Sequence, residues 1–281
     1  MHAMEATPIR EYHRPDRLDQ ALELLRRPGA KPLAGGSGLL PGGGASIVVD
    51  LQSLGLDAMQ VEGDRLRLGA MVSLQRLVSW LPAGAWLAEA ACLEAPLVQR
   101  NAATLGGLIA RRNPLSCLLI ALLTLDAQLT FRTASGQTCV SLADWLADPG
   151  DLPVGTLITD ISLLAPTDQY GLALERVART PRDRPIVAVA VRLERQAEIC
   201  RAARIALAGV AERPLRVTQA EALLQGQVFD TPRLEQVAGL LESQLAPHSD
   251  WRGSAEYRRA MAGVLTRRAL NKAWAQLAQA E

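Results

Sequence analysis

The chain has 281 residues, 49% hydrophobic and 21% charged, the profile of an ordinary globular protein and enough for one large domain or two to three small ones. With 30 Lys and Arg against 29 Asp and Glu, the net charge is +1, so no global field favours nucleic acid or an anionic membrane. The four cysteines (Cys92, Cys117, Cys139, Cys200) form no C-x-x-C pair, and His2, His13 and His248 are far apart. That spacing argues against a zinc or iron–sulfur site and against hydrolytic or acid–base chemistry by the chain's own side chains.

In chain order, residues 1–15 are polar and charged without an apolar stretch, so no signal peptide is expected. Residues 18–26 carry apolar positions at helical spacing, with Pro15-Asp16 as a start signal. Lys31-Pro32-Leu33 reads as a short extended piece and leads into a glycine cluster, Ala34-Gly35-Gly36-Ser37-Gly38. Residues 41–44 are a flexible turn, and the β-branched run at 46–51 is a buried strand. This order suggests a small α/β unit over residues 1–55. Residues 65–70 alternate as a half-buried strand, 72–77 open a short helix, and 86–92 continue helical. A second glycine cluster follows, Arg100-Asn101-Ala102-Ala103-Thr104-Leu105-Gly106-Gly107, read as a turn.

Each cluster sets paired glycines beside a hydroxyl residue. Glycine admits close backbone approach and positive φ, and successive N–H groups in such a turn form an anion-binding nest. Two nests from distant parts of a chain suit a ligand with a pyrophosphate, such as a dinucleotide. The bland alternative for each is a tight turn.

Beyond the second cluster, residues 118–125 read as a buried helix within the longest apolar run, 115–127. That run is too short to span a bilayer and carries Ser116 and Asp126, so a soluble cytoplasmic protein is expected. Residues 128–132 and 138–140 form a hairpin through Ser135-Gly136, 141–146 a short helix, and 155–163 a strand. A boundary is placed near 163–170, dividing the chain into 1–55, 56–165 and 166–281. Strands are expected at 170–177, 186–193 and 201–210, then helices at 218–224, 232–244 and 255–278. Arg179 to Arg184 is an arginine-rich loop facing a ligand, a partner or solvent. Glu256 and Arg259 at i,i+3 fit a solvated helical face.

Taken together, Tyr12-His13-Arg14-Pro15, Ala34-Gly35-Gly36-Ser37, Val49-Asp50-Leu51, Leu68-Gly69-Ala70, the 100–107 segment, Leu122 to Ala127 and Arg252 to Arg259 with Leu265 to Leu270 follow a known order and spacing. The chain resembles, over almost its whole length, the FAD-binding medium subunit of molybdenum hydroxylases, the group that includes carbon monoxide dehydrogenase and xanthine dehydrogenase. The resemblance implies an α+β fold of the vanillyl-alcohol-oxidase (PCMH) type. Two N-terminal subdomains would hold FAD between them, and a C-terminal antiparallel-sheet-and-helix domain would close over it. It assigns FAD contacts to Lys31, Pro32, Leu33, Ala34, Gly35, Gly36, Ser37, Gly38, Asn101, Thr104, Leu105, Gly106, Gly107 and Leu108. Ile158 and Arg176 are assigned to the isoalloxazine ring. The implied partners are a molybdopterin-binding large subunit and a 2Fe–2S small subunit, with electrons passing through FAD to NAD, quinone or oxygen. Three positions depart from the family pattern: Gly38 stands for Asp, Leu108 for Asn and Cys117 for Asp. Each lost hydrogen bond to a polar ligand group costs ~1–3 kcal/mol. These departures motivate the alternative of a structural or assembly subunit that keeps the fold without FAD. A stand-alone nucleotide-binding protein is the third reading.

Overall fold

The computed structural model describes residues 9–37, 45–82 and 85–279. The chain builds three sheets in succession. The first is a parallel three-stranded sheet of β1 (Glu11–His13), β2 (Ala30–Leu33) and β3 (Ile47–Asp50) in the order β1-β3-β2. Helix α1 (Leu18–Leu25) crosses from β1 to β2 and buries Ala21, Leu22 and Leu25 against Val49, Leu51 and Leu157. Two of the sequence segments meet here, because the Tyr12 hydroxyl donates to the buried Asp50 carboxylate.

The second sheet is antiparallel: β4 (Met59–Glu62), β5 (Arg65–Gly69), β6 (Gln128–Thr133), β7 (Gly136–Ser141) and β8 (Leu157–Leu164), in the order β4-β5-β8-β6-β7. Between β5 and β6 run α2 (Leu74–Trp80), α3 (Trp86–Glu94), α4 (Leu97–Ala102), α5 (Leu105–Arg111) and α6 (Cys117–Thr124), and α7 (Leu142–Ala147) precedes β8. Every residue of α6 is buried, as its uninterrupted apolar sequence requires.

The third sheet is also antiparallel. Strands β9 (Gly171–Val177), β10 (Val187–Gln196), β11 (Ile199–Ala208) and β12 (Leu215–Arg216) follow the order β12-β11-β10-β9, and β13 (Gln227–Val228) pairs with β11. Helices α8 (Thr218–Leu224), α9 (Thr231–Gln244) and α10 (Ala255–Gln279) cover one face. Both faces of β10 and β11 are buried. Their alternation is therefore small against large rather than polar against apolar: Ala188, Ala190, Ala206 and Ala208 join the core that contains α6, while Val187, Val189, Val191, Ile205 and Leu207 face the helices. This is the α+β, PCMH-type fold.

The basic stretch at the start of α10 is not a solvated face throughout. Arg258 is 3% exposed and donates to the carbonyls of Ile186 and Gly209 and to Asp250. Arg259 donates to the Leu245 carbonyl. Among the described residues, no helix is long and apolar enough to cross a membrane.

Candidate functional site

The first glycine segment leaves β2 and turns toward α4. Gly36 has φ of 71°, a conformation open to glycine at little cost. Gly35 is fixed by contact: a Cβ there would lie 1.5 Å from the Ala102 carbonyl oxygen. Among the described residues, the N–H groups of Gly35, Gly36 and Ser37 have no acceptor. Successive free N–H groups at a turn form a concavity for an anion. Gly38, and the turn expected at 41–44, lie outside the described residues.

The second cluster differs from the turn expected there. It is the N-terminus of α5, with Thr104 as cap, extended at φ −107° and ψ 158°. The first N–H groups of a helix lack intrahelical acceptors. Here Leu105 N–H donates to the Val72 carbonyl (3.0 Å), Gly106 N–H to the Ala70 carbonyl (2.8 Å) and Gly107 N–H to Thr104 Oγ1 (3.2 Å). The two glycines have separate reasons. A Cβ on Gly106 would stand 2.8 Å from the Ala70 Cβ, so its hydrogen permits packing on the end of β5. A Cβ on Gly107 would meet only Thr104 Oγ1, at 3.0 Å. Because the Thr104 hydroxyl accepts from Gly107, its own proton is free to donate outward.

The two segments flank one cleft of about 880 Å³, in the upper part of the ~300–1,000 Å³ range of small-molecule sites. Ala34 to Ser37 lie on one side. Thr104, Gly107, Leu108 and Arg111 lie on the other, a stripe at i, i+3, i+4 and i+7 along α5 and its cap. Lys31, Pro32, Gly106 and Ile158 also line the cleft. Leu33 and Leu105 do not; Leu105 is wholly in the core. Asn101 is exposed on the last turn of α4, away from the lining. Arg176 is likewise not a lining residue. Its guanidinium donates to the carbonyls of Pro181 and Asp183 and braces the β9–β10 loop, and Arg184 of that loop lines the cleft instead.

Arg111 and Glu94, outside the contacts the resemblance assigns, also line the cleft. Arg111 lines the cleft, but its neighbour Arg112 is buried at 8% exposure, stacked 3.4 Å over Trp145 and bonded to the carbonyls of Asp148 and Gly150. It is a packing residue that braces the chain at 148–150. Glu94, the last residue of α3, is half-buried. Its Oε2 accepts from Ser116 Oγ (2.7 Å) and Leu118 N–H (3.2 Å). Burial pushes the Glu94 carboxyl above the usual range, opposed by these hydrogen bonds and by the Arg184 charge. The only sequence signal for Glu94 is a carboxylate closing an Ala-rich helix. Cys117 is fully buried, and burial together with the nearby Glu94 charge pushes its thiol up to about 12, so it is an inert packing residue. The lining thus carries three cations (Lys31, Arg111, Arg184) against two carboxylates (Glu94, Asp151).

Comparison with known proteins agrees over nearly the whole chain. The family model for the FAD binding domain in molybdopterin dehydrogenase matches residues 5–165. The model for the CO dehydrogenase flavoprotein C-terminal domain matches residues 173–273. The chain is 33% identical over 282 residues to the carbon monoxide dehydrogenase medium chain of Afipia carboxidovorans, covering 95% of this chain and 97% of that one. It is 36% identical over 264 residues to the uncharacterised protein YgfM of Escherichia coli K12, covering 92% and 93%. A chain in the solved carbon monoxide dehydrogenase of Hydrogenophaga pseudoflava superposes with a TM-score of 0.89 at 31% identity, covering 96% of this chain and 98% of that one. The chain therefore belongs to the FAD-binding medium-subunit family of the molybdenum hydroxylases.

Proposed function

We propose that this chain is the FAD-carrying electron-transfer subunit of a cytoplasmic, heteromeric molybdenum hydroxylase. It would work beside a molybdopterin-binding large subunit and a 2Fe–2S small subunit, with the substrate site on the large one. The observation that carries this reading is the meeting of both glycine segments across one 880 Å³ cleft. The residues present fit the cofactor. Free N–H groups on Gly35, Gly36 and Ser37 and the spare Thr104 proton suit a diphosphate, and the open face of Gly107 admits it closely. Lys31 and Arg111 add positive potential along the same walls. Ile158 offers an apolar surface against a ring, and Arg184 brings a cation that favours negative charge there. Arg176 acts by holding the loop that presents Arg184. Bound FAD would supply a two-electron carrier, and the chain's residues would bind it, orient it and set its electrostatics.

On this reading residues 1–55 and 56–165 are the two FAD-binding subdomains and 166–281 the closing domain. Electrons would arrive from iron–sulfur clusters and leave to NAD, quinone or oxygen. Leu108, largely buried, and Cys117, in the core, supply no polar contact, which is what favours the alternative of an FAD-deficient assembly subunit. The meeting of both glycine segments across one cleft favours the FAD reading over that alternative. The test is affinity purification of the tagged chain from its native host, followed by metal analysis. Molybdenum and iron in fixed ratio to the chain are the expected result. A chain recovered with flavin but without either metal would contradict the complex.

A further inference from the structure

Glu94 and Asp151 are the carboxylates in a cleft otherwise suited to an anion, and Glu94 is the more buried of the two. A carboxylate beside a diphosphate is repelled, so Glu94 must face a part of the ligand that bears no phosphate. Its position is fixed rather than incidental. Ser116 Oγ links the carboxylate to the N-terminus of α6, donating to Glu94 at 2.7 Å while accepting from Leu119 N–H at 3.0 Å. Leu118 N–H and the N–H of Cys117 also face the carboxylate. A carboxylate accepts about four hydrogen bonds, so these three donors leave acceptor capacity, and Glu94 lines the cleft. The Arg184 charge attracts it. What such a carboxylate recognises is a neutral hydrogen-bond donor. Of the neutral donors on FAD, the adenine amino group and flavin N3–H sit at the far ends of the molecule, while the sugar-type hydroxyls flank the diphosphate that the glycine segments of the same cleft suit.

We infer that Glu94 is a ligand-binding residue of the cleft, its carboxylate accepting a hydrogen bond from a sugar-type hydroxyl of the dinucleotide. The inference rests on the FAD reading above. The hydroxyl belongs either to the ribityl chain of the flavin half or to the ribose of the adenosine half, and the test separates the two.

Affinities for FAD, riboflavin and ADP are measured by calorimetry on the wild type, Glu94→Ala and Glu94→Gln. Thermal melts are run alongside. Losing a hydrogen bond to a charged acceptor predicts about a 10- to 100-fold weaker FAD affinity for Glu94→Ala. Glu94→Gln keeps a carbonyl acceptor and loses less. The loss falls on one fragment alone: riboflavin if the ribityl hydroxyl is the donor, ADP if the ribose is. Affinities within twofold of wild type for all three ligands overturn the inference. So does an equal loss for both fragments, which marks a general disturbance of the α6 terminus rather than a contact. A wild-type chain that binds no FAD overturns the underlying functional reading as well, a result distinct from either.

Discussion

Gly35 shows how much one hydrogen atom in place of a methyl group controls. Its Cα rests against the Ala102 carbonyl, where a Cβ would stand 1.5 Å from the oxygen and 2.6 Å from the carbon. Neither atom belongs to a side chain that can swing away, so a larger residue must push the β2 turn off the α4–α5 junction. Gly35→Ala is predicted to cost about 1–3 kcal/mol of stability, the usual range for overpacking a close contact. It should also weaken FAD binding more than tenfold, because the free N–H groups of residues 35–37 move with it. Denaturant melts and FAD titration check both; an unchanged affinity would show that the turn does not touch the ligand. At this scale the sequence was partly legible. Paired glycines beside Ser37 and Thr104 marked the cleft. Their individual roles were not visible, because packing on Ala70, contact with Ala102 and exposure to a ligand all demand the same residue. Arg184 lay within the arginine-rich loop read as facing a ligand, a partner or solvent; Glu94 was harder to find, since it reaches the cleft through a tertiary contact with no local pattern.

Among the elements, α6 ties the second sheet to the third. It is buried along its full length, and the chain leaves it through Asp126, held at φ of 49°, a left-handed conformation that Asp tolerates. Its carboxylate accepts from Arg192 of β10 (2.9 Å), Arg204 of β11 (3.0 Å) and Arg216 of β12 (3.0 Å). Arg192 is 3% exposed and also lies over the Tyr170 ring. Removing the acceptor would leave that guanidinium buried beside Arg204 and Arg216, with only the longer contact to Glu194 (3.7 Å) to balance it. Asp126→Ala is predicted to lower the unfolding free energy by about 3 kcal/mol, the low end for breaking a buried pair because Asp126 itself is 26% exposed. Asp126→Asn, which retains an acceptor, should lose less. A loss below about 1 kcal/mol in urea unfolding would reduce the cluster to an ordinary surface ion pair. The sequence located α6 and the strands around it through apolar run length and turn residues. It missed β1, β4, α4, α5 and the two-residue strands β12 and β13. Strands β1 and β4 have only 3 and 4 residues, so all four are too short for alternation to register. Helix α5 was hidden by Gly106 and Gly107, which lower helix propensity, although Thr104 was available as its cap.

In the whole molecule, the ligand cleft draws on each of the three sheets. The first sends the turn after β2, the second provides α5 and Ile158, and the third reaches in through Arg184 on the β9–β10 loop. Fixed contacts hold the third sheet: Arg258 ties α10 to the entry of β10 and the exit of β11, and Asp126 joins the end of α6 to β10, β11 and β12. The overall class was legible because the segments that carry it are the ones that touch. Tyr12 meets Asp50, and the first glycine turn meets the residues preceding Thr104. What the order of segments could not supply was the role of the departures: Leu108 and Cys117 belong to the core, Leu108 at the cleft edge, and Glu94 joins the lining from another helix. The most direct test of the account is the flavin content of the purified full-length chain, read from its absorption spectrum and from the cofactor released on denaturation. The account predicts FAD, retained or taken up on incubation, at one molecule per chain. A colourless protein that stays colourless after incubation with excess FAD would contradict it.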